Sequence, residues 1–172
     1  IGHIFVSDES VKQDFWNYAQ KQKYFGSAKI HTITDTCSFF IDKARLKFLH
    51  PDKNYLHHNE NNASLVCRLD TKKESILFTG DIESEAEFYL VDNYAKELKA
   101  NYLKIPHHGS RSSSSTEFLE AVSPQEVWIT APRKNIYRFP HPDTMQRIQK
   151  QQAKILLTGN GTIRKIGIPA KE

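Results

Sequence analysis

Three short segments place metal-ligating side chains directly after an apolar, strand-like run. In the first, residues 76–78 are followed by Thr79, Gly80 and Asp81. The glycine permits a tight turn that would carry the Asp81 carboxylate to the rim of a sheet. Two carboxylate oxygens can bridge two divalent cations, so Asp81 is a candidate metal ligand and catalytic residue. The alternative is that Asp81 caps a helix beginning at Glu83.

The second segment is an adjacent histidine pair, His107 and His108, which follows a strand predicted over residues 101–105. Neutral imidazole is the commonest metal ligand in proteins. Because consecutive residues of a strand point to opposite faces, we expect one histidine to bind metal and the other to support it or contact substrate. The sequence does not decide which of the two is the ligand. A surface pair is the alternative, although Pro106 and Gly109 on either side favour a defined turn.

The third segment spans residues 137–142, where prolines on both sides hold His141 in a defined position. A structural histidine is an equal alternative there. Lys104, Ser110 and His141 are also candidate catalytic donors, because each could stabilise negative charge on a phosphoryl oxygen. The serines at 112–115 most simply cap a helix, although their hydroxyls could hydrogen-bond a phosphate.

The elements that position these residues are mainly short strands, separated by turn signals. Strands are predicted over residues 3–7, 29–34, 38–42, 45–50, 64–70, 75–79, 101–105, 126–130, 154–157 and 162–168. Helices are predicted over residues 8–26 with Asp8 or Ser10 as the cap, 83–98, 115–122 with Ser115 or Thr116 as the cap, and after Pro142. Because helices are interleaved with more numerous strands, the pattern predicts a layered α/β domain.

The composition describes an ordinary globular domain. The 172 residues are 38% hydrophobic and 26% charged, without an apolar run near the ~20 residues of a membrane helix. The net charge of +4 permits a polyanionic partner. Cys37 and Cys67 do not have metal-pair spacing, and Cys67 is expected as a buried thiol. The basic residues near the third segment either meet phosphates or form a solvated face; they are Arg133, Lys134, Arg138 and Arg147.

Four sequence motifs occur together in one order: Asn-Ala-Ser-Leu-Val at 62–66, Leu-Phe-Thr-Gly-Asp-Ile-Glu at 77–83, Leu-Lys-Ile-Pro-His-His-Gly-Ser at 103–110, and Asn-x-Tyr with Pro-His-Pro at 135–142. In this combination the chain resembles the C-terminal metallo-β-lactamase-like domain of ComEC-type competence proteins, bacterial channels for DNA uptake. The resemblance implies a two-layered αββα sandwich, present here in part, with a site for two divalent metal ions, zinc or manganese.

The resemblance also implies roles for individual residues. It matches Asp81 to the bridging aspartate and the pair His107 and His108 to a late histidine motif, one member of which is a ligand. His141 would line the cleft. Asn62 stands where many relatives carry another histidine ligand.

The implied function is metal-dependent hydrolysis of DNA phosphodiester bonds during natural competence. Residues 1–172 would form a single metallo-β-lactamase-like domain, the C-terminal portion of a longer chain, since the sequence begins within a predicted strand. By resemblance, the domain belongs to a bacterial inner-membrane protein, and its partners are DNA and the remainder of that channel protein.

Two departures from the pattern support a different class of function. The superfamily's His-x-His-x-Asp-His motif is absent from the 172 residues, and Phe139 stands where a second histidine beside His141 is expected. The alternative is therefore a catalytically inactive module of the same fold that binds DNA or a partner protein. A third interpretation is a hydrolase of this fold acting on a small thioester or lactam, since fold does not fix substrate.

Overall fold

The structure is a computed structural model that describes residues 2–161. Its first strand belongs to a small parallel sheet. Strand β1 (His3–Ser7) pairs with β2 (Lys29–Ile33) in parallel. Two short helices, α1 (Asp8–Lys12) and α2 (Asp14–Lys21), lie between these strands in sequence.

The single helix predicted for this region is wrong. Gln13 has an extended backbone with ψ 144°, and it divides the segment into two helices. The predicted caps Asp8 and Ser10 are also wrong, because Ser7 is the N-cap and its hydroxyl accepts a hydrogen bond from the Ser10 backbone N–H. Both residues lie inside α1 instead.

A seven-stranded sheet forms the centre of the described part of the chain, with the strands adjacent in sequence order. They are β3 (Cys37–Ile41), β4 (Ala44–His50), β5 (Val66–Asp70), β6 (Ser75–Phe78), β7 (Tyr102–Lys104), β8 (Glu126–Ile129) and β9 (Lys154–Leu157). Pairing is antiparallel from β3 to β6 and parallel from β6 to β9. Parallel neighbours need a crossover connection, and helices supply it.

Three helices cover one face of this sheet: α3 (Ser84–Leu98), α4 (Thr116–Val122) and α5 (Pro142–Lys150). Their apolar stripes and the inward side chains of the strands form the main core. Its fully buried members include Leu77, Leu90, Leu103, Phe118, Val127 and Ile148. Ser115 caps α4, as expected, through a hydrogen bond from the Phe118 backbone N–H to its hydroxyl.

The opposite face of the sheet carries a second core. Phe48 and Cys67 pack there with Ile33 of β2, while Phe5 of β1 contacts Phe48 at a ring-centroid distance of 5.3 Å. Phe48 and Leu49 belong to different cores because neighbouring residues of a strand point to opposite faces. The small sheet therefore lies against the large one, with helices on the other side.

The predicted layered α/β fold is confirmed, and the strand and helix positions agree apart from the α1–α2 segment and small differences at element ends. The last predicted strand, residues 162–168, lies outside the described residues. Within residues 2–161, no helix is long and apolar enough to span a bilayer.

Candidate functional site

The candidate site lies at one edge of the large sheet, where the carboxyl ends of three adjacent parallel strands meet. Strand β6 leads to Asp81, β7 leads to the turn Pro106–Gly109 and β8 leads to Thr130. Residues far apart in sequence are gathered there because parallel strands end at the same edge. This edge is a common place for ligand sites in open α/β sheets.

Asp81 is held in place by its backbone. Gly80 has φ +56°, and a Cβ on it would lie 2.5 Å from the Cβ of Ser64, so only glycine fits without displacing this neighbour. The Asp81 backbone N–H donates to Ser64 Oγ at 3.0 Å. The alternative that Asp81 caps α3 is wrong, since the N-cap of that helix is Glu83.

Lys104 is the cationic neighbour of Asp81. Its Nζ donates to the carbonyl of Gly80 at 2.7 Å and lies 3.4 Å from Asp81 Oδ1, with only 16% of the side chain exposed. Burial lowers the pKa of Lys104 below its ordinary value, while the Asp81 carboxylate opposes that shift. The ammonium group therefore compensates one oxygen of the carboxylate and fixes its orientation.

His108 presents a ring nitrogen to the other oxygen of Asp81. Its Nδ1 lies 2.6 Å from the backbone carbonyl of Thr130. A carbonyl can only accept, so Nδ1 carries the proton and donates. In the neutral ring Nε2 is then an acceptor, and it lies 3.6 Å from Asp81 Oδ2. Two hydrogen-bond acceptors that face each other at this distance repel, and a cation or a proton between them would remove that repulsion.

His107 and His108 are not on a strand, so the opposite-face argument that predicted their divergence is wrong. Both lie in the 3₁₀ turn Pro106–Gly109, with φ of 44° and 55°. Left-handed backbone at two consecutive non-glycine residues costs conformational energy and is typical of functional sites. The two rings nevertheless meet different partners, because this turn directs them apart.

His107 faces Glu83 and Phe139 rather than Asp81. Its Nδ1 is buried and lies 3.3 Å from Glu83 Oε1, but it forms no hydrogen bond with any described residue. Its ring meets that of Phe139 edge-on, with centroids 5.5 Å apart. His107 therefore borders the site from the side, with its Nδ1 facing the Glu83 carboxylate.

Ser110 and His141, also predicted as site residues, are engaged elsewhere. The Ser110 hydroxyl pairs with that of Ser112 at 3.0 Å. His141 is the N-cap of α5, and its ring Nδ1 accepts a hydrogen bond from the Asp143 backbone N–H at 3.2 Å. The backbone N–H of His141 donates to the Gly109 carbonyl at 2.8 Å. Asp81, His107 and His108 line a cavity of about 830 Å³, and neither Ser110 nor His141 is among its described lining residues.

Sequence reasoning missed Glu83, Ser64 and Thr130. Glu83 accepts from the side chains of Asn59, Asn61 and Ser112 beside His107. The motif at 77–83 ended on Glu83, but its contacts were not predictable because its partners come from two distant loops. Thr130 could have been found, since it directly follows a predicted strand parallel to the other two.

Asn62, which the resemblance matches to a histidine ligand of many superfamily members, has a structural role here. Its side chain is fully buried, with Oδ1 accepting from the Glu83 backbone N–H at 2.8 Å and Nδ2 donating to Glu85 at 3.2 Å. Both ends of the amide are occupied, so Asn62 fixes the start of α3 beside the site.

The serine run at 112–115 is held by hydrogen bonds to side chains of α3 and α5. The buried carboxylate of Glu87 accepts from the backbone N–H groups of Ser114 and Ser115. Burial raises the pKa of Glu87, while those hydrogen bonds and Arg147 oppose the shift. The Arg147 guanidinium donates to the carbonyls of Ser113 and Ser114, so this member of the basic cluster supports a loop.

The number and type of metal-ligating side chains at the site determine whether a divalent metal ion could bind there. Among residues 2–161, no group of three or more His, Cys, Asp or Glu side chains converges on one point. Asp81 Oδ2 and His108 Nε2 do converge, and the Nδ1–carbonyl bond of His108 is the arrangement that orients metal-ligating histidines. The donors present are therefore of the right chemistry for a metal ion, and two of them, Asp81 Oδ2 and His108 Nε2, are candidate ligands.

Comparison with solved structures defines the fold class. The chain has the metallo-β-lactamase fold: the metallo-β-lactamase fold protein YhfI from Bacillus subtilis superposes with a TM-score of 0.52 at 11% identity, over 90% of this chain and 61% of that one. No protein-family model matches the chain.

The resemblance to ComEC-type competence proteins is confirmed by sequence relatives. The chain is 38% identical over 106 residues to ComE operon protein 3 of Bacillus subtilis (strain 168), a match covering 61% of this chain and 14% of the relative. It is 32% identical over 117 residues to competence protein ComA of Neisseria gonorrhoeae, covering 68% of this chain and 17% of the relative. The chain thus corresponds to a small part of each relative's length.

Proposed function

We propose that this chain forms part of the active site of a metal-dependent DNA nuclease that acts in DNA uptake. The observation that carries the proposal is the pair Asp81 Oδ2 and His108 Nε2, 3.6 Å apart, with His108 Nδ1 donating to a carbonyl. That hydrogen bond leaves the Nε2 lone pair of the neutral ring directed at a carboxylate oxygen. A cation bound by both groups satisfies both acceptors.

Asp81 and His108 would hold the metal, and the remaining ligands would come from elsewhere in a longer protein. A divalent ion such as zinc or manganese supplies Lewis acidity toward a phosphoryl oxygen and activates a water molecule near neutral pH. The leading His-x-His-x-Asp-His motif of the superfamily, absent from these 172 residues, is the natural source of the missing ligands.

The other residues at the edge keep these two ligands in position. Lys104 and Ser64 restrain the Asp81 carboxylate and its backbone, while Thr130 holds the His108 ring through its carbonyl. His107 packs against Phe139, and both residues line the cavity. Such restraint matters because the ligands must keep their geometry as charge develops in the transition state.

The choice of DNA as substrate rests on three supports. One relative is named competence protein ComA and another ComE operon protein 3. The chain has a net charge of +4, which favours association with phosphates. The sheet edge carries an exposed basic loop beside the cavity, described below. We also propose that residues 1–172 are one domain of a longer bacterial membrane protein, because the matches cover only 14% and 17% of these two relatives.

A second candidate function is a non-catalytic module that binds DNA or a partner protein. The observation that favours it is Lys104, whose ammonium already lies 3.4 Å from Asp81 and offers the carboxylate a counter-charge without metal. In that case the Asp81 carboxylate would face Lys104 and His108 without a bound metal ion.

The test uses the longer natural protein that contains these residues, purified with manganese or zinc, in a DNA-cleavage assay. Asp81→Ala and His108→Ala are expected to abolish metal-dependent cleavage and to lower bound metal. His58→Ala is the matched control, since His58 is 69% exposed in the loop before β5. Cleavage retained in Asp81→Ala would refute the nuclease proposal. DNA binding without metal or cleavage in the unsubstituted protein would establish the non-catalytic module.

A further inference from the structure

The loop after β8 forms an apolar wall of the cavity that contains Asp81. We call residues 132–139 the aromatic loop; it contributes Pro132, Asn135, Ile136, Tyr137 and Phe139 to the cavity lining. Ile136 is 87% exposed and Tyr137 is 69% exposed. Large apolar side chains this exposed, next to a cavity with polar ligands at its base, indicate a surface that binds something.

The aromatic loop is held in one conformation by Asn135. The Asn135 side-chain amide donates to the carbonyls of Pro132 at 3.0 Å and Phe139 at 2.8 Å. Its Oδ1 accepts from the Phe139 backbone N–H at 2.9 Å. Both ends of the amide are used to close the loop, so the exposed side chains project from a pre-organised frame.

The rings of the aromatic loop lead from solvent toward the site. Tyr137 stacks on Phe139 with centroids 5.6 Å apart and an interplanar angle of 20°, and Phe139 in turn meets the His107 ring. The Tyr137–Phe139 contact at this wall is therefore already a stacked one, while the Phe139–His107 contact is edge-on. An added planar group on Tyr137 would continue the same series of rings.

The aromatic loop is also basic. Arg133, Lys134 and Arg138 are exposed on it, and the sequence has no acidic residue from 130 to 142. Aromatic rings interleaved with cationic side chains are the usual platform for single-stranded nucleic acid, whose bases stack on the rings while phosphates meet the cations.

We propose that Tyr137, backed by Phe139, stacks an unpaired nucleobase of single-stranded DNA and thereby delivers the neighbouring phosphodiester to the Asp81–His108 edge. The proposal rests on the proposed function for the identity of the nucleic acid. Bases in a duplex are already stacked on each other and cannot cover Tyr137 without unpairing. The aromatic loop therefore selects single strands over duplex.

The experiment measures binding by the full 172-residue chain without added metal, so cleavage plays no part in the readout. The probe is a fluorescein-labelled oligothymidylate of about eight nucleotides. Its binding is measured by fluorescence anisotropy at a fixed salt concentration. Tyr137→Ala is expected to raise the Kd about tenfold, within the range for loss of one base–aromatic stack. Tyr137→Phe is expected to keep the Kd of the unsubstituted chain, because the ring is retained.

Tyr24→Ala is the matched control, since Tyr24 is an exposed tyrosine at 63% that follows α2 and does not line this cavity. Its Kd is expected to be unchanged, and a duplex of the same length is expected to bind more weakly. The proposal is overturned if Tyr137→Ala binds the single strand normally, if duplex binds as tightly, or if the unsubstituted chain does not bind. Because binding is measured without metal, the stacking site can pass or fail this test whether or not the longer protein cleaves DNA, so the two failures are distinguishable.

Discussion

The turn before Asp81 allows a sharp test, because Gly80 and Ser64 are in direct contact. Alanine at position 80 would have to adopt φ +56° with its Cβ 2.5 Å from Ser64 Cβ and 2.9 Å from Ser64 Oγ. The left-handed backbone costs about 1–2 kcal/mol for a non-glycine residue. Overpacking against a fixed neighbour adds about 1–3 kcal/mol. Gly80→Ala is therefore expected to lower the free energy of unfolding by about 2–5 kcal/mol.

The second substitution, Ser64→Gly, separates these two costs. It removes the atoms that the new Cβ would strike, and it also removes the acceptor for the Asp81 N–H, a loss of about 1 kcal/mol. In the double variant the clash with the Ser64 side chain is absent, while the backbone strain, the 3.3 Å approach to the Leu65 carbonyl oxygen and the lost hydrogen bond persist. The double variant should therefore be more stable than the sum of the single effects by about 1–3 kcal/mol.

Urea denaturation of the four proteins, followed by circular dichroism, gives the interaction energy of this cycle. The reasoning is refuted if the two effects add, or if Gly80→Ala is as stable as the unsubstituted chain. In the proposed longer nuclease, Gly80→Ala is expected to lower cleavage, because the displaced Ser64 can no longer hold Asp81.

Three further predictions concern stability and reactivity. Burial alone would raise the pKa of Asp52, but hydrogen bonds from Tyr94, Asn54 and Tyr89 outweigh it and leave that pKa below its ordinary value. Asp52 therefore contributes stability above an unfolded pKa of about 3.9 that is lost as pH falls through the lower folded value, and Asp52→Asn should remove this dependence in acid denaturation curves. Phe118→Ala should lower the free energy of unfolding, measured by urea denaturation, by about 3–5 kcal/mol, because the side chain of this α4 residue is fully buried in the main core. A change near zero would contradict the core assignment. Burial raises the pKa of the Cys67 thiol to about 12, so iodoacetamide should label Cys67 only after denaturation, as read by mass spectrometry of the tryptic peptide.

Much of the framework was predictable because it depends on local pattern. The run before Asp81 and the run before the histidine pair read as strands from their apolar residues, and both lead to the same edge. Ser115 and Pro142 mark helix starts through capping preferences that act within one turn. Asp81, His107 and His108 could be proposed as site residues because they come shortly after predicted strands.

The rest of the site depends on contacts that no local pattern encodes. His108 is oriented by the Thr130 carbonyl, 22 residues away in sequence, and that bond decides which histidine faces Asp81. The left-handed backbone of both histidines replaced the alternation expected for a strand. His141 was directed away from the cavity because it caps α5, a role that its flanking prolines did not reveal.

The central claim is that Asp81 and His108 share a metal ion. A crystal structure of the longer protein grown with manganese, with anomalous diffraction recorded at the manganese edge, tests this most directly. The account predicts an anomalous peak bonded to Asp81 Oδ2 and His108 Nε2, with His108 Nδ1 still donating to the Thr130 carbonyl. A direct hydrogen bond between Asp81 and His108 with no peak between them would contradict it.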